Sequence, residues 1–303
     1  MIDFCKITPQ DREHYQQLLL SGDERGCEFS FANLCLWGRQ RIAFLYDHAV
    51  LFSQFDRRTV YPFPVGNGDK KTVLDAVIAD SRERGISCRI TGLTGEHIRL
   101  MQELYPDQFY YHCDRGSYDY VYAIDDLADL KGRKYQKKRN FYNRFRGNFP
   151  HYEVQPLTEA MLPAVQAMVD AWYEKRIQAD PKADFLMERS ALNKALQRHG
   201  ELGMETLVLT DGGEVIAMTM GSFLAEDTVD VHFEKAREDV DGAYAAINCE
   251  FARYLREKYP QLRFLNREED MGLEGLRKAK ESYCPHHMTE KCWAHLKEDG
   301  YDY

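Results

Sequence analysis

Between residues 206 and 265 the chain reads as one supersecondary unit that few folds can accommodate. Asp211-Gly212-Gly213-Glu214 is a hairpin turn that joins strand 206–210 to strand 215–223. A third strand follows at 228–233, then a long helix over 243–258 that stops before Pro260, then a short strand at 262–265. An antiparallel meander that continues through a helix into another strand requires a mixed sheet with helices on its faces. The expected class is therefore α/β (α+β).

The first half alternates in the same way. Helix 8–20 opens with Thr8-Pro9, and a hairpin over 42–46 and 49–55 turns about Asp47-His48. Helix 70–84, strand 88–93, helix 95–104 and strands 109–113 and 117–124 come next. Residues 27–37 are rich in apolar and aromatic groups and fit no single element. Gly147–Pro150 marks the expected boundary between halves 1–150 and 151–303. Helices 158–176 and 188–200, with a turn at 179–181, lead into the three-strand meander.

Two stretches carry more polar chemistry than connections need. The first is 131–146, which holds eight basic groups and no acid, with Phe141, Phe145 and Phe149 at helical spacing. Against a net charge of −9, that block leaves −17 on the rest of the chain. The overall balance excludes a general DNA-binding protein, while the concentrated patch suits one anionic ligand. Lys134, Lys138 and Arg139 are its candidate ligand-binding cations, and a solvated linker helix is the structural alternative. The second is 266–283, where Asn266, Arg267, Glu268, Glu269 and Asp270 end the strand. Gly272 and Gly275 then open a short helix bearing Arg277 and Lys280, three positions apart and able to share one ligand group.

No run approaches the ~20 apolar residues of a membrane span, and the first residues lack a secretory pattern. The expected location is cytoplasmic. Eight cysteines without a CxxC pair read as mostly buried free thiols in that compartment. Cys284-Pro285-His286-His287 with Cys292 fits no standard zinc spacing, so no metal is expected.

Three motifs carry a resemblance. Phe29-Ser30-Phe31-Ala32-Asn33-Leu34 with Trp37, the basic run 132–145, and Asn266-Arg267-Glu268-Glu269-Asp270-Met271-Gly272 continuing to Ser282-Tyr283 together resemble the bacterial phosphatidylglycerol lysyltransferase C-terminal domain family. That family is similar to Fem-type aminoacyl-tRNA-dependent transferases. The resemblance implies two GNAT-like acyltransferase halves with mixed sheets, joined by the basic helix, with the active site in the second half. It implies an acyl- or aminoacyl-transferase whose donor, aminoacyl-tRNA or acyl-CoA, is phosphate-rich and whose acceptor is an amine or a hydroxyl. No tightly bound cofactor is implied. The GNAT pyrophosphate loop maps to Arg237-Glu238-Asp239-Val240-Asp241-Gly242, where only Arg237 and Gly242 match and two aspartates oppose an anion. The membrane-embedded part of the full-length lysyltransferases does not occur among these residues, so the acceptor stays open.

Acyl transfer needs a route for the nucleophile's proton, donors for the carbonyl oxygen and an acid for the leaving group. Asp230, His232 and Glu234 share one face of their strand. With Glu269 as an alternative base and Tyr283 as an acid, they are the candidate catalytic groups. Two other function classes stay open: a non-catalytic RNA- or nucleotide-binding protein that uses the basic helix alone, and a small-molecule acetyltransferase.

Overall fold

The computed structural model of the chain describes residues 1–22, 24–38, 40–55, 58–180 and 185–299. The turn expected at 179–181 therefore ends outside the described residues. Two compact units emerge, the first from Met1–Asp119, Glu269–Glu274 and the segment from Met288, the second from Tyr120–Glu268 and Gly275–His287. Each is built on a mixed sheet.

In the first unit the sheet runs in the order Cys5–Lys6, Gln40–Leu45, His48–Phe55, Arg58–Pro62, Arg89–Leu93, Cys292–Leu296 and Phe109–Cys113. Arg58–Pro62 pairs in parallel with Arg89–Leu93, while the other registered pairs are antiparallel. The first hairpin turns one residue earlier than expected, on Tyr46 and Asp47, both left-handed as a two-residue hairpin loop demands. Residues 27–37 resolve into a tight turn over Cys27–Phe29 and the helix Phe31–Leu36. Ser30 caps that helix, and Asn33 donates 2.9 Å to the Cys27 carbonyl while accepting from Trp37 Nε1 at 3.1 Å. This motif is a folding device.

The late strand Cys292–Leu296 inserts between Arg89–Leu93 and Phe109–Cys113 and sets Cys292 directly opposite Cys113, Cα atoms 4.3 Å apart. The two form a disulfide. The expectation of free thiols is corrected for this pair, because the strand order brings together residues 179 positions apart. Cys27, Cys88 and Cys249 are buried and outside any disulfide, and burial pushes the Cys88 and Cys249 thiols up to about 12.

In the second unit the sheet order is Glu153–Gln155, Glu205–Asp211, Glu214–Ala225, Thr228–Ala236, Phe264–Asn266, Asp119–Ala123 and His287–Thr289. The meander and the helix Ala243–Lys258 stand where the turn chemistry places them. The expected break near 150 is not where the compact units divide. Asp119–Ala123 pairs with Phe264–Asn266, and Cys249 and Arg253 of the long helix both donate to the Ala128 carbonyl, at 3.2 Å and 2.8 Å. The basic segment, a tight turn over Arg133–Tyr135 leading into the helix Gln136–Asn148, is thus an integral layer of the second unit. Among the described residues, no helix is long and apolar enough to cross a membrane.

Candidate active site

Thr228–Ala236 and Phe264–Asn266 run parallel but pair over only three residues, from Thr228↔Phe264 to Asp230↔Asn266. Beyond that point Thr228–Ala236 continues, held by its antiparallel neighbour as far as Ala236, while the chain after Asn266 stays bonded only on its other side, to Tyr120, through the Arg267 amide and the Glu268 carbonyl. The strands therefore part at residues 231 and 267. His232 and Glu234 follow the parting on one side, Arg267 and Glu268 on the other.

Polar side chains bridge this gap. Arg267 Nη2 lies 2.9 Å from Glu234 Oε1, and Asn248 Nδ2 donates 3.1 Å to Glu234 Oε2. Glu234 is only 10% exposed, so its charge is matched at close range inside the unit. The Arg267 guanidinium lies 4.9 Å from the Tyr283 ring centroid, and Lys138 Nζ lies 3.6 Å from the same centroid. Two cations thus share one aromatic ring. Burial pushes Lys138 down to about 8, and the Arg267 charge pushes the same way. Burial raises the Tyr283 phenol, which keeps its proton near neutral pH. Lys138 is therefore the better matched proton-transfer group of the two.

Asp230, His232 and Glu268 form a second cluster in the same unit. His232 Nε2 meets Ser222 Oγ at 2.8 Å, and its Nδ1 lies 3.3 Å from Glu268 Oε1 and 3.4 Å from Asp230 Oδ2. Both ring nitrogens have protein partners, which leaves none for a substrate in this arrangement. Glu269 does not join them. It belongs to the first unit and pairs at 2.7 Å with Lys291, whose buried ammonium also meets Asp119 at 2.8 Å, Glu28 at 3.3 Å and Cys27 Sγ at 3.4 Å.

The expected donor-binding residues divide. Lys138 and Arg267 meet on Tyr283, and Lys280 donates to the Arg267 carbonyl, which steadies the same loop. Asn266 is fully buried and accepts 2.8 Å from the Glu268 amide, a turn-forming role. Arg139 donates to the Leu130 and Gly132 carbonyls, and Lys134 pairs at 3.0 Å with Asp126. Arg237 is held by Glu214 at 2.9 Å and Asp239 at 2.8 Å. Gly242 is left-handed, and a Cβ there would collide with the Phe141 carbonyl. Arg277 is half-buried on the helix Glu274–Glu281.

Donor atoms of Asp230, His232 and Glu268, and of Cys27, Asp119 and Glu269, lie within 4.8 Å of one another in each set. In the second set the Lys291 ammonium already supplies the counter-charge. Neither set falls in the 284–292 stretch weighed for metal.

Sequence reading missed Asn248, Thr219 and Ser222. Their signal was present: each is a polar residue set inside an otherwise apolar run of a buried helix or strand. Lys291, between Glu290 and Cys292, carried no such signal.

Comparisons with known proteins bear on the family and the fold. A conserved protein of unknown function from Bacteroides thetaiotaomicron is 38% identical, with a TM-score of 0.92 over 98% of this chain and 100% of that one. L-PGS from Bacillus licheniformis shares the fold at 16% identity and TM-score 0.68, over 95% of this chain and 92% of that one. FemX does so at 11% identity and TM-score 0.65, over 98% of each chain. No curated protein matches the sequence. The family model described as phosphatidylglycerol lysyltransferase, C-terminal, matches residues 21–295. With that model spanning nearly its whole length, the chain belongs to the phosphatidylglycerol lysyltransferase C-terminal family.

Proposed function

We propose that this chain is a cytoplasmic bacterial aminoacyltransferase, moving an aminoacyl group from aminoacyl-tRNA to an amine or hydroxyl acceptor. The observation that carries the reading is the convergence of Lys138 and Arg267 on Tyr283 beside Glu234, where the strands part. Arg267 is a fixed donor for the carbonyl oxygen as it becomes an oxyanion. Lys138, poised near 8, takes the proton of the attacking amine or hydroxyl and returns it to the tRNA 3′-oxygen as that oxygen departs from the acyl carbon. Tyr283 supplies the ring that holds both cations, and Glu234 fixes the guanidinium plane.

Arg133, Lys137 and Arg146 are exposed on the basic segment and suit a polyanionic donor. Acyl-CoA is the less favoured donor. The first turn of Ala243–Lys258 meets the Phe141 carbonyl at Gly242, and Arg237 is engaged by two carboxylates. A binding protein without turnover is also less favoured, because Lys131, Lys134, Arg139 and Arg144 already have partners within the protein.

The test is calorimetry with charged tRNA and coenzyme A side by side, followed by transfer of labelled amino acid to an acceptor panel that includes phosphatidylglycerol vesicles. Binding of charged tRNA together with turnover that is lost on Lys138→Gln supports the reading. Binding of coenzyme A alone, or salt-sensitive RNA binding with no acceptor consumed, overturns it.

A further inference from the structure

Where the helix Gln136–Asn148 ends against Ala243–Lys258, a cavity of about 580 Å³ opens within the second unit. Phe145 stacks on Phe149 at 5.1 Å and meets Tyr152 edge-on at 5.2 Å, which folds the chain back and brings Tyr152 and Val154 to the cavity wall. Glu250, from the middle of the long helix, lines the same space with a side chain only 15% exposed. Its Oε1 accepts from the Tyr142 hydroxyl, from the Tyr152 hydroxyl at 2.8 Å and from Arg253 Nη1 at 3.2 Å. Burial raises both phenols, so both hold their protons and donate. All three bonds fall on one oxygen, and Oε2 takes none from the described residues. Across the cavity stand Asn143 and Arg146, three apart and on one face of their helix. Arg146 lies 5.8 Å from the Tyr142 ring centroid and makes no ion pair among the described residues.

We infer that this cavity binds a free α-amino acid, its carboxylate accepting from Arg146 and Asn143 and its ammonium donating to Glu250 Oε2. The two walls carry one full charge of each sign. A simple anion drawn to Arg146 is repelled by Glu250, and a simple cation drawn to Glu250 is repelled by Arg146. A molecule with a carboxylate and an ammonium on one carbon answers both through charge-assisted hydrogen bonds. The spacing suits it, because Tyr142 places its ring beneath Arg146 and its hydroxyl on Glu250, so one side chain spans the two charges. Gly147, Pro150 and Val154 supply an apolar stretch of wall, which favours an apolar side chain on the ligand. Arg146 stands eight residues beyond Lys138 on the same helix, about 12 Å along its axis, so this cavity is separate from the gap where Lys138 and Arg267 meet. The inference goes beyond the aminoacyl-transfer reading and does not depend on it: the ligand is a free amino acid and not the acyl group in transit.

The test is calorimetry on the full chain with three probes of one skeleton: L-leucine, 4-methylpentanoate, which lacks the amine, and 3-methylbutylamine, which lacks the carboxylate. Leucine should bind at least tenfold more tightly than either fragment. Arg146→Gln should weaken leucine at least tenfold and leave 3-methylbutylamine unchanged, while Glu250→Gln should weaken leucine and leave 4-methylpentanoate unchanged. If Glu250→Gln does not fold, the exposed Arg146 still decides the matter, since its removal takes no buried partner away. Lys138→Gln should bind leucine as the wild-type protein does. No saturable binding of leucine, equal binding of all three probes, or leucine affinity indifferent to Arg146→Gln overturns the inference. Leucine binding that is lost on Lys138→Gln and kept on Arg146→Gln overturns it as well, by placing the amino acid in the transfer centre. None of these outcomes touches aminoacyl transfer, whose failure is read separately from charged tRNA.

Discussion

Lys138 is held as a cation where both burial and Arg267 disfavour the charge, and its behaviour with pH follows from that. Its folded pKa, about 8, lies below the ordinary 10.5 of lysine. The charged form is thus the costly one in the native protein, and this cost is relieved as pH rises from about 8 towards 10.5. If Lys138 takes the nucleophile's proton, kcat should climb through pH ~8, and Lys138→Gln should lower it by about 10²–10⁴-fold and flatten the climb. Tyr283→Phe keeps the ring and should keep the climb. A wild-type rate indifferent to pH from about 7 to 9 removes Lys138 from the chemistry. Glu28 in the first unit shows the opposite pattern. Burial lifts its carboxyl from 4.5 to about 7, against the pull of Lys291, with Asp119 and Glu269 adding to the rise. Its protonated form is favoured by folding, so this contribution is complete below about pH 4.5 and is lost as pH rises through 7. Glu28→Gln should therefore stabilise the protein at pH 8 by ~1–3 kcal/mol, with little change at pH 4. Urea unfolding at the two values measures it, and equal shifts at both show that the carboxyl does not titrate in this range.

At the scale of elements, Gly242 separates a ligand-binding reading from a packing one. It caps Ala243–Lys258 with φ near 83° and lies against the Phe141 carbonyl, so a side chain there is opposed both by its own backbone and by a neighbour's. Gly242→Ala should cost about 2 kcal/mol or more of stability, and the protein that remains folded should bind donor normally. Weakened donor binding at unchanged stability would instead return the residue to a phosphate loop. The elements themselves were legible in the sequence: the Asp211-Gly212-Gly213-Glu214 turn, the helix Ala243–Lys258 and the strand before Arg267 all declare themselves by local turn chemistry and periodicity. The partners of their side chains were not. Arg267 and Tyr283 were visible as chemistry, but that they share a ring with Lys138 depends on tertiary packing of distant segments. Glu268 and Glu269 are adjacent in sequence, yet the first meets His232 and the second Lys291. Left-handed backbone at Glu268 breaks the alternation that a strand reading assumes. Cys113 and Cys292 failed to declare themselves for a related reason, since a strand inserted late in the chain sets them face to face.

At the scale of the whole molecule, the chain is not cut into sequential halves, and this has a consequence for dissecting it. The second unit needs what lies before residue 150. Its strand Asp119–Ala123 lies between Phe264–Asn266 and His287–Thr289, and without it the short strand Phe264–Asn266 loses the partner opposite Thr228–Ala236. The helix Ala243–Lys258 buries Cys249, Phe251 and Ala252. The chain from Ile124–Asp129 to Gln136–Asn148 meets this helix, through the Ala128 carbonyl and through Tyr142, which donates to Glu250. A chain running from residue 151 to 303 lacks that strand and both covering helices. It also lacks Lys138, so the two cations that share the Tyr283 ring cannot meet. Exposed apolar helix surface and an unpaired strand edge favour aggregation over folding. We expect the 151–303 chain to give no cooperative thermal transition by circular dichroism, and a chain that begins at residue 120 to recover one. A cooperative melt from 151–303 at the temperature of the intact protein would mean that the basic helix and its strand are accessory to the unit, and that a boundary near 150 is physically real.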